Sequence, residues 1–177
     1  MILGICGHIG SGKSTALMVL KKTGWFVIDA DEIVHDLYEA NASGQRKISD
    51  FFGEEFLRRN GSVNRLKLRK IVFGNVRKLK ILNALIHPLV LTEVTKILNK
   101  TDALKIAIEA AYFEDKCLGK LIDKLVLIDR PKASIKVNKS VLVLDHLPKK
   151  YDLKISNNST LKDFEKKVII GVDKITT

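Results

Sequence analysis

Met1-Ile2-Leu3-Gly4-Ile5-Cys6-Gly7-His8-Ile9-Gly10-Ser11-Gly12-Lys13-Ser14-Thr15 opens the chain, and its reading decides the fold. Met1 to Cys6 is an apolar run of β type, Gly7 to Ser14 satisfies G-x-x-x-x-G-K-S, and Thr15 to Lys22 is apolar at helical spacing. Strand, glycine loop and helix in that order are the setting in which a P-loop holds phosphate. The glycines matter because the backbone must curl with its N–H groups inward around phosphate oxygens, where side chains would obstruct the approach. On this reading His8, Ile9, Gly10, Ser11, Gly12, Lys13, Ser14 and Thr15 hold a nucleotide. Lys13 reaches the β- and γ-phosphates, the Ser14 hydroxyl helps to hold Mg²⁺, and the helix N-terminus adds its partial positive charge.

Outward from the loop, Gly24 ends the first helix and Trp25-Phe26-Val27-Ile28 forms a second apolar run that finishes in Asp29-Ala30-Asp31. A continuous apolar run predicts a strand buried on both faces. From Glu32 to about Lys100 the pattern is helical, with breaks near Asn41 to Gly44, Gly53 to Ser62 and Pro88. Leu104 to Ala110 and Leu125 to Asp129 read as short strands, and Leu153 to Ile155 as a weaker one. A turn follows at Asn157-Asn158, then a last helix from about Thr160, where Thr160 and Asp163 have a spacing like a capping box. Strands alternating with helices imply an α/β fold: right-handed crossovers and a parallel sheet covered on both faces, with its chemistry at the carboxyl ends of the strands. The helical stretch between the second and third strands is too long for one crossover. It predicts a helical subdomain over one side of the sheet.

A P-loop alone says nucleotide binding, and Asp31 narrows it. A kinase acting on an alcohol needs a carboxylate near the γ-phosphate to orient the hydroxyl and accept its proton. Asp29 and Asp31 share one face of an extended backbone, but only Asp31 lies past the predicted strand end. The plain alternative is that Asp31 caps the helix that follows, and one residue can do both.

Composition sets the remaining bounds. There are 31 Lys and Arg against 20 Asp and Glu, a formal net charge of +11. The length suits one compact domain. Cys6 and Cys117 are far apart, with no C-x-x-C and no clustered histidines, which argues against a disulfide scaffold or a zinc site and for a reducing, cytoplasmic setting. Lysines interrupt the hydrophobic stretches, so no run is expected to reach the roughly 18 to 20 residues of a membrane helix. The apolar start lacks a basic leader, and a cleaved signal peptide is not expected. The positive charge favours polyanions, whether nucleic acid, anionic lipid or nucleotide-like metabolites, while its plain reading is a solvated lysine-rich surface. No aromatic-rich RNA motif or basic recognition helix stands out, so neither a nucleic-acid nor a membrane partner is expected.

Taken together, these residues resemble the dephospho-CoA kinases, P-loop kinases that carry out the last phosphorylation of coenzyme A. Gly7 to Thr15 resembles that family's GGIGSGKST loop, and Val27-Ile28-Asp29-Ala30-Asp31 its V-I-D-A-D strand end. Phe52-Gly53, Gly61-Ser62-Val63-Asn64-Arg65 and Ile71-Val72-Phe73 track its next stretches, and Leu82-Asn83-Ala84-Leu85-Ile86-His87-Pro88-Leu89-Val90 is close to its LNxLxHPxV signature. Leu147-Pro148-Lys149-Lys150 and Ile155-Ser156-Asn157-Asn158-Ser159-Thr160 resemble the stretch closing its last strand. The resemblance implies a three-layer P-loop kinase sandwich: a core at about 1–31 and 103–177, a helical substrate-binding subdomain at about 32–102 and a shortened lid at about 130–150. It implies ATP and Mg²⁺ as cofactors, with dephospho-CoA as the small-molecule substrate. Asp31 would be the base toward the ribose 3′-hydroxyl and, with Arg65 and His87, would face that substrate. For Arg65 the plain alternative is a surface residue, and for His87 a packed histidine closing a helix.

Two stretches depart from the family pattern. After the third predicted strand, Ile106 to Asp115 reads I-A-I-E-A-A-Y-F-E-D, so Glu109 takes the acidic position near Mg²⁺ with Glu114 or Asp115 as the later acid, the register between them staying open. The segment from Asp129 to Asn158 is short for a lid, and Arg130 is the last arginine of the chain, leaving Lys132, Lys136 and Lys139 as the nearby cations. Lysine does not replace arginine automatically on a transferring phosphoryl group. Two other functions therefore stay open: another P-loop nucleoside or nucleotide kinase, which a substrate panel would reveal, or a non-catalytic nucleotide-binding protein that has lost its lid. Nucleic-acid binding that weakens steeply with salt would mark the latter.

Overall fold

The structure, a computed structural model, describes residues 1–73, 75–110, 113, 117–131 and 148–176. The chain divides into two compact units, Met1–Asp29 with Thr101–Thr177, and Ala30–Lys100. In the first unit, five strands, β1 (Ile2–Gly7), β2 (Phe26–Asp29), β3 (Ile106–Glu109), β4 (Lys124–Asp129) and β5 (Leu153–Ser156), form one sheet in the order β2-β3-β1-β4-β5. Every pairing is parallel. β1 therefore lies at the centre, and its carboxyl end delivers Gly7 opposite Ile128 near the end of β4, two residues past the level of Glu109 at the end of β3.

Helix α1 (Lys13–Lys22) and helix α6 (Leu161–Thr176) pack on each other and on this sheet. Leu3, Ile5, Leu20, Val126, Ile128, Phe164, Val168 and Val172 make the dry centre of that layer. On the opposite face of β1, a Cβ on Gly4 would lie 2.9 Å from side-chain carbons of both Ile122 and Leu125, which would have to shift to admit it. α6 starts as its sequence predicts. The Asp163 N–H donates to Thr160 Oγ1 at 3.2 Å, and the Thr160 hydroxyl donates to Asp163 Oδ2 at 2.7 Å.

The expectation of a second strand buried on both faces is corrected. β2 pairs only with β3 and is an edge strand, so it is covered unevenly: Phe26 is exposed while Ile28, on the same face, is buried. The third strand is also shorter than its apolar run. Leu104 projects from the surface, and pairing starts at Ile106.

The second unit is helical: α2 (Ala30–Leu37), α3 (Ser43–Phe52), a 3₁₀ turn at Glu54–Phe56, α4 (Arg65–Phe73) and α5 (Val76–Leu98). Breaks fall where Asn41 takes a positive φ and where Gly53 ends α3. Two expectations fail in α5. Pro88 does not interrupt it, and the helix runs ten residues further to Leu98, because one missing N–H costs less than the packing of a long amphipathic face. Its start is set instead by Asn75, whose side chain accepts the Lys78 N–H. Lysines also fail to break its apolar run, since α5 contains an 18-residue window of mean hydropathy 1.4, long and apolar enough to cross a membrane by length and composition alone. Its buried residues Ile86, Val90 and Val94 recur every four positions, the stripe of a helix packed among neighbours. Those neighbours are α2, α3 and α4.

Candidate functional site

At the end of β1 the backbone turns so tightly that only glycine fits. A Cβ on Gly7 would sit 2.3 Å from the Ile128 carbonyl oxygen and 2.6 Å from Ser11 Oγ. The loop then closes on itself: the Ser11 N–H donates to His8 O at 3.0 Å, and Lys13 Nζ donates to the same oxygen at 3.3 Å. Lys13 is thus a buried ammonium folded within the curl of its own loop. Gly12 has a φ of 105° and serves as N-cap of α1 without any side-chain cap, which leaves the first N–H groups of the helix for an anion. Ser11 is fully buried, and its hydroxyl has no hydrogen-bond partner among the described residues. Such an orphaned group inside a polar loop is itself a sign of a ligand site.

Glu109, the last residue of β3, stands in register with Ile5 on one side and Asp29 on the other. Its carboxylate is buried, and Ser14 Oγ donates to Oε1 at 3.3 Å. A hydroxyl and a carboxylate form a hard oxygen set suited to Mg²⁺. No group of three or more His, Cys, Asp or Glu side chains able to hold a metal occurs among the described residues, so an ion there would take its other oxygens from phosphate and water. Glu114, Asp115, Lys132, Lys136 and Lys139, with most of the expected lid, lie outside the described residues. Under the loop, burial pushes the Cys6 thiol up to about 12, with the Lys13 charge pulling against it.

Two further side chains converge on the loop from across the sheet. Asn157 Nδ2 donates to Ser11 O at 2.8 Å while its own N–H donates to Asp129 O at 2.7 Å, and Arg130 Nη1 lies 3.4 Å from Gly10 O. With Lys13, Ser159, Leu161 and Phe164 they line a cavity of about 410 Å³ beside the loop. That volume suits a small ligand. The sequence reads Asn157 only as part of a turn; the Nδ2 bond spans 146 residues and leaves no local signal.

The other site candidates belong to the helical unit. Asp31 is exposed in the first turn of α2, which begins at Ala30 immediately after Asp29. It is therefore inside the helix rather than at its cap, and the shared extended face with Asp29 does not exist. One turn on from Asp31 is His35. The guanidinium of Arg65, the first residue of α4, stands against that imidazole, Nη1 lying 2.6 Å from Nδ1 and also touching Nε2. Behind them Tyr38 is buried, and burial pushes its hydroxyl up to about 12 with the Arg65 charge opposing. His87 is half-buried in the interior of α5 and closes no helix.

Residues 1–142 match the family model for dephospho-CoA kinase. A dephospho-CoA kinase of Fusobacterium nucleatum is 36% identical, the match covering 95% of each chain. The chain belongs to the dephospho-CoA kinase family. Among solved structures, a protein of Thermus thermophilus superposes with a TM-score of 0.75 over 100% of this chain and 98% of its own, at 23% identity. The dephospho-CoA kinase of Campylobacter jejuni gives 0.64 over 98% and 96%, also at 23% identity. Both share the α/β fold of this chain. Within this dephospho-CoA kinase family chain, Gly7 to Thr15, Asp31, Arg65, His87, Glu109 and Arg130 all fall inside the family-model match, whereas Asn157 lies beyond it.

Proposed function

We propose that the chain transfers the γ-phosphoryl group of ATP to the ribose 3′-hydroxyl of dephospho-coenzyme A, giving coenzyme A and ADP. The observation that carries the reading is the phosphate cradle of Gly7 to Ser14, with its buried Lys13 and uncapped helix start, in a chain of this family. In the step, the 3′-oxygen bonds to the γ-phosphorus in line as the bond from that phosphorus to the β,γ-bridging oxygen breaks, and ADP carries the electron pair away. Asp31 takes the hydroxyl proton, an assignment supported by its exposed place in the first turn of α2. Lys13 and the N–H groups at the start of α1 balance the charge on the phosphate oxygens. Ser14 and Glu109 would hold Mg²⁺, which would supply positive charge to offset that of the nucleotide phosphates. Arg65 and His87 bind the acceptor, which carries a pyrophosphate suited to a guanidinium. We assign the nucleotide to the sheet unit and the acceptor to the helical unit, in a cytoplasmic enzyme with a small-molecule partner and a trimmed lid near 130–150.

ADP release measured with ATP and Mg²⁺, with and without dephospho-CoA, tests the reading beside Asp31→Asn and Lys13→Ala. Turnover should require dephospho-CoA and collapse in both variants. Turnover indifferent to dephospho-CoA, or intact in Asp31→Asn, refutes it.

A further inference from the structure

The loop between β5 and α6 is held from two sides. On its inner side Asn157 bonds Ser11 O and Asp129 O, and Ser159 lines the cavity beside the phosphate loop. On its outer side a single ammonium gathers the rest. Lys167, almost two turns into α6, donates from Nζ to Ser156 O at 3.4 Å, to Asn158 Oδ1 at 3.1 Å and to Ser159 Oγ at 3.1 Å. An ammonium has three N–H donors, and here each one finds an acceptor.

The placement goes against two ordinary tendencies. A lysine on an exposed helix face normally keeps its head in water with its rotamer freedom intact, and ordering it costs entropy. A cation reaching back over the first turn of a helix also meets the positive end of the helix dipole. Three acceptors drawn from one four-residue stretch of the chain, Ser156, Asn158 and Ser159 with Asn157 enclosed among them, offset both. The charge closes the loop like a drawstring around Asn157.

We propose that Lys167 is a positioning residue for the nucleotide. By fixing residues 156 to 159 it sets where Asn157 meets the phosphate loop and where Ser159 faces the cavity, so its loss loosens the nucleotide pocket without touching the acceptor side. The inference rests on the nucleotide site proposed above, yet adds a residue beyond the family-model match and outside the cavity lining.

The test is the affinity of a fluorescent ADP analogue for the purified full chain, its Lys167→Met, Lys166→Met and Lys13→Ala variants, with thermal unfolding of each and KM for both substrates. Lys166→Met removes the same charge from the exposed neighbouring position. Lys167→Met should weaken the ADP analogue on the order of fivefold, as expected for hydrogen bonds of ordinary strength, and raise KM for ATP alike. Lys166→Met should stay close to wild type, and KM for dephospho-CoA should not move in either. Unchanged ADP affinity in Lys167→Met overturns the proposal while Lys13→Ala, losing affinity, keeps the nucleotide site intact. Equal weakening by Lys166→Met reduces the effect to net charge and overturns it too. So does a Lys167→Met variant that unfolds at lower temperature with both KM values raised together, which marks a purely structural lysine. ADP affinity unaffected by Lys13→Ala removes the nucleotide site and the inference with it.

Discussion

Ser14 Oγ donates to Glu109 Oε1 across 3.3 Å, tying the first turn of α1 to the last residue of β3. The two groups are 95 residues apart in sequence and come from the two sides of the central parallel pair. If they hold Mg²⁺, Glu109→Gln preserves the packing and the bond to Ser14 but removes the charge. The Mg²⁺ concentration giving half-maximal activity should rise by on the order of tenfold, as for other altered metal surroundings. A Mg²⁺ titration superimposable on wild type would take Glu109 out of the metal site.

Gly12→Ala should abolish nucleotide binding while leaving the fold. Its φ of 105° disfavours any side chain, and a Cβ would stand 2.5 Å from Asn157 Nδ2, displacing the bond that Asn157 makes to Ser11. Circular dichroism resembling wild type, with titration calorimetry showing no heat of ADP binding, is the expected pair of results. Retained binding would show that the loop tolerates a different backbone.

Arg65→Ala should raise KM for dephospho-CoA by on the order of tenfold or more, the loss expected for a charge-assisted hydrogen bond, and leave KM for ATP alone. His35 gives the contrast, because it touches the guanidinium rather than standing in its place. A rise in both KM values would assign Arg65 to structure instead.

Asp152 predicts a pH signature at the other end of the sheet. It accepts the Leu125 N–H at 2.8 Å and Lys124 Nζ at 3.3 Å, and the first of these chiefly holds its carboxyl below the usual carboxylate value. The folded-state pKa is depressed, so the stabilisation is fully present above the ordinary value near 3.9 and is lost as pH falls through the lower, folded-state value. Asp152→Asn should therefore lower stability at pH 7 by about 1 kcal/mol, a figure reduced for its exposure, or roughly 2–4 °C. Melting curves of variant and wild type should converge under strongly acid conditions. A gap that persists at acid pH would point to packing rather than charge.

Cys6 should be inert in the native protein. Burial holds its thiol near 12 and its Sγ donates to Val126 O at 3.5 Å, so scarcely any thiolate exists at pH 8. Peptide mapping after iodoacetamide treatment should find Cys6 modified only in denaturant. Rapid native labelling would contradict the buried placement.

What the sequence makes legible is local. The step from apolar run to glycine loop to helix, and the cap formed by Thr160 and Asp163, lie within a few residues and read directly. The continuity of α5 through Pro88 was hidden because proline is a strong breaker by itself and only packing against α2, α3 and α4 outweighs it. The edge position of β2 was hidden because strand order is a property of the whole sheet. Asn157, Lys167 and the meeting of His35 with Arg65 were hidden for the same reason: each is a bond between segments that propensity treats separately.

The central place of β1 also fixes an order of assembly. The first of the sheet's strands to be synthesised pairs with β3 from Ile106 and with β4 from Lys124, so its hydrogen bonds on one side must wait for Ile106 and those on the other for Lys124. The contiguous helical unit of Ala30–Lys100 lies wholly within that delay and is complete first. During translation, then, the apolar Ile2–Gly7 segment is the stretch most in need of shelter, and slow ribosomal passage before Lys124 should expose it to aggregation.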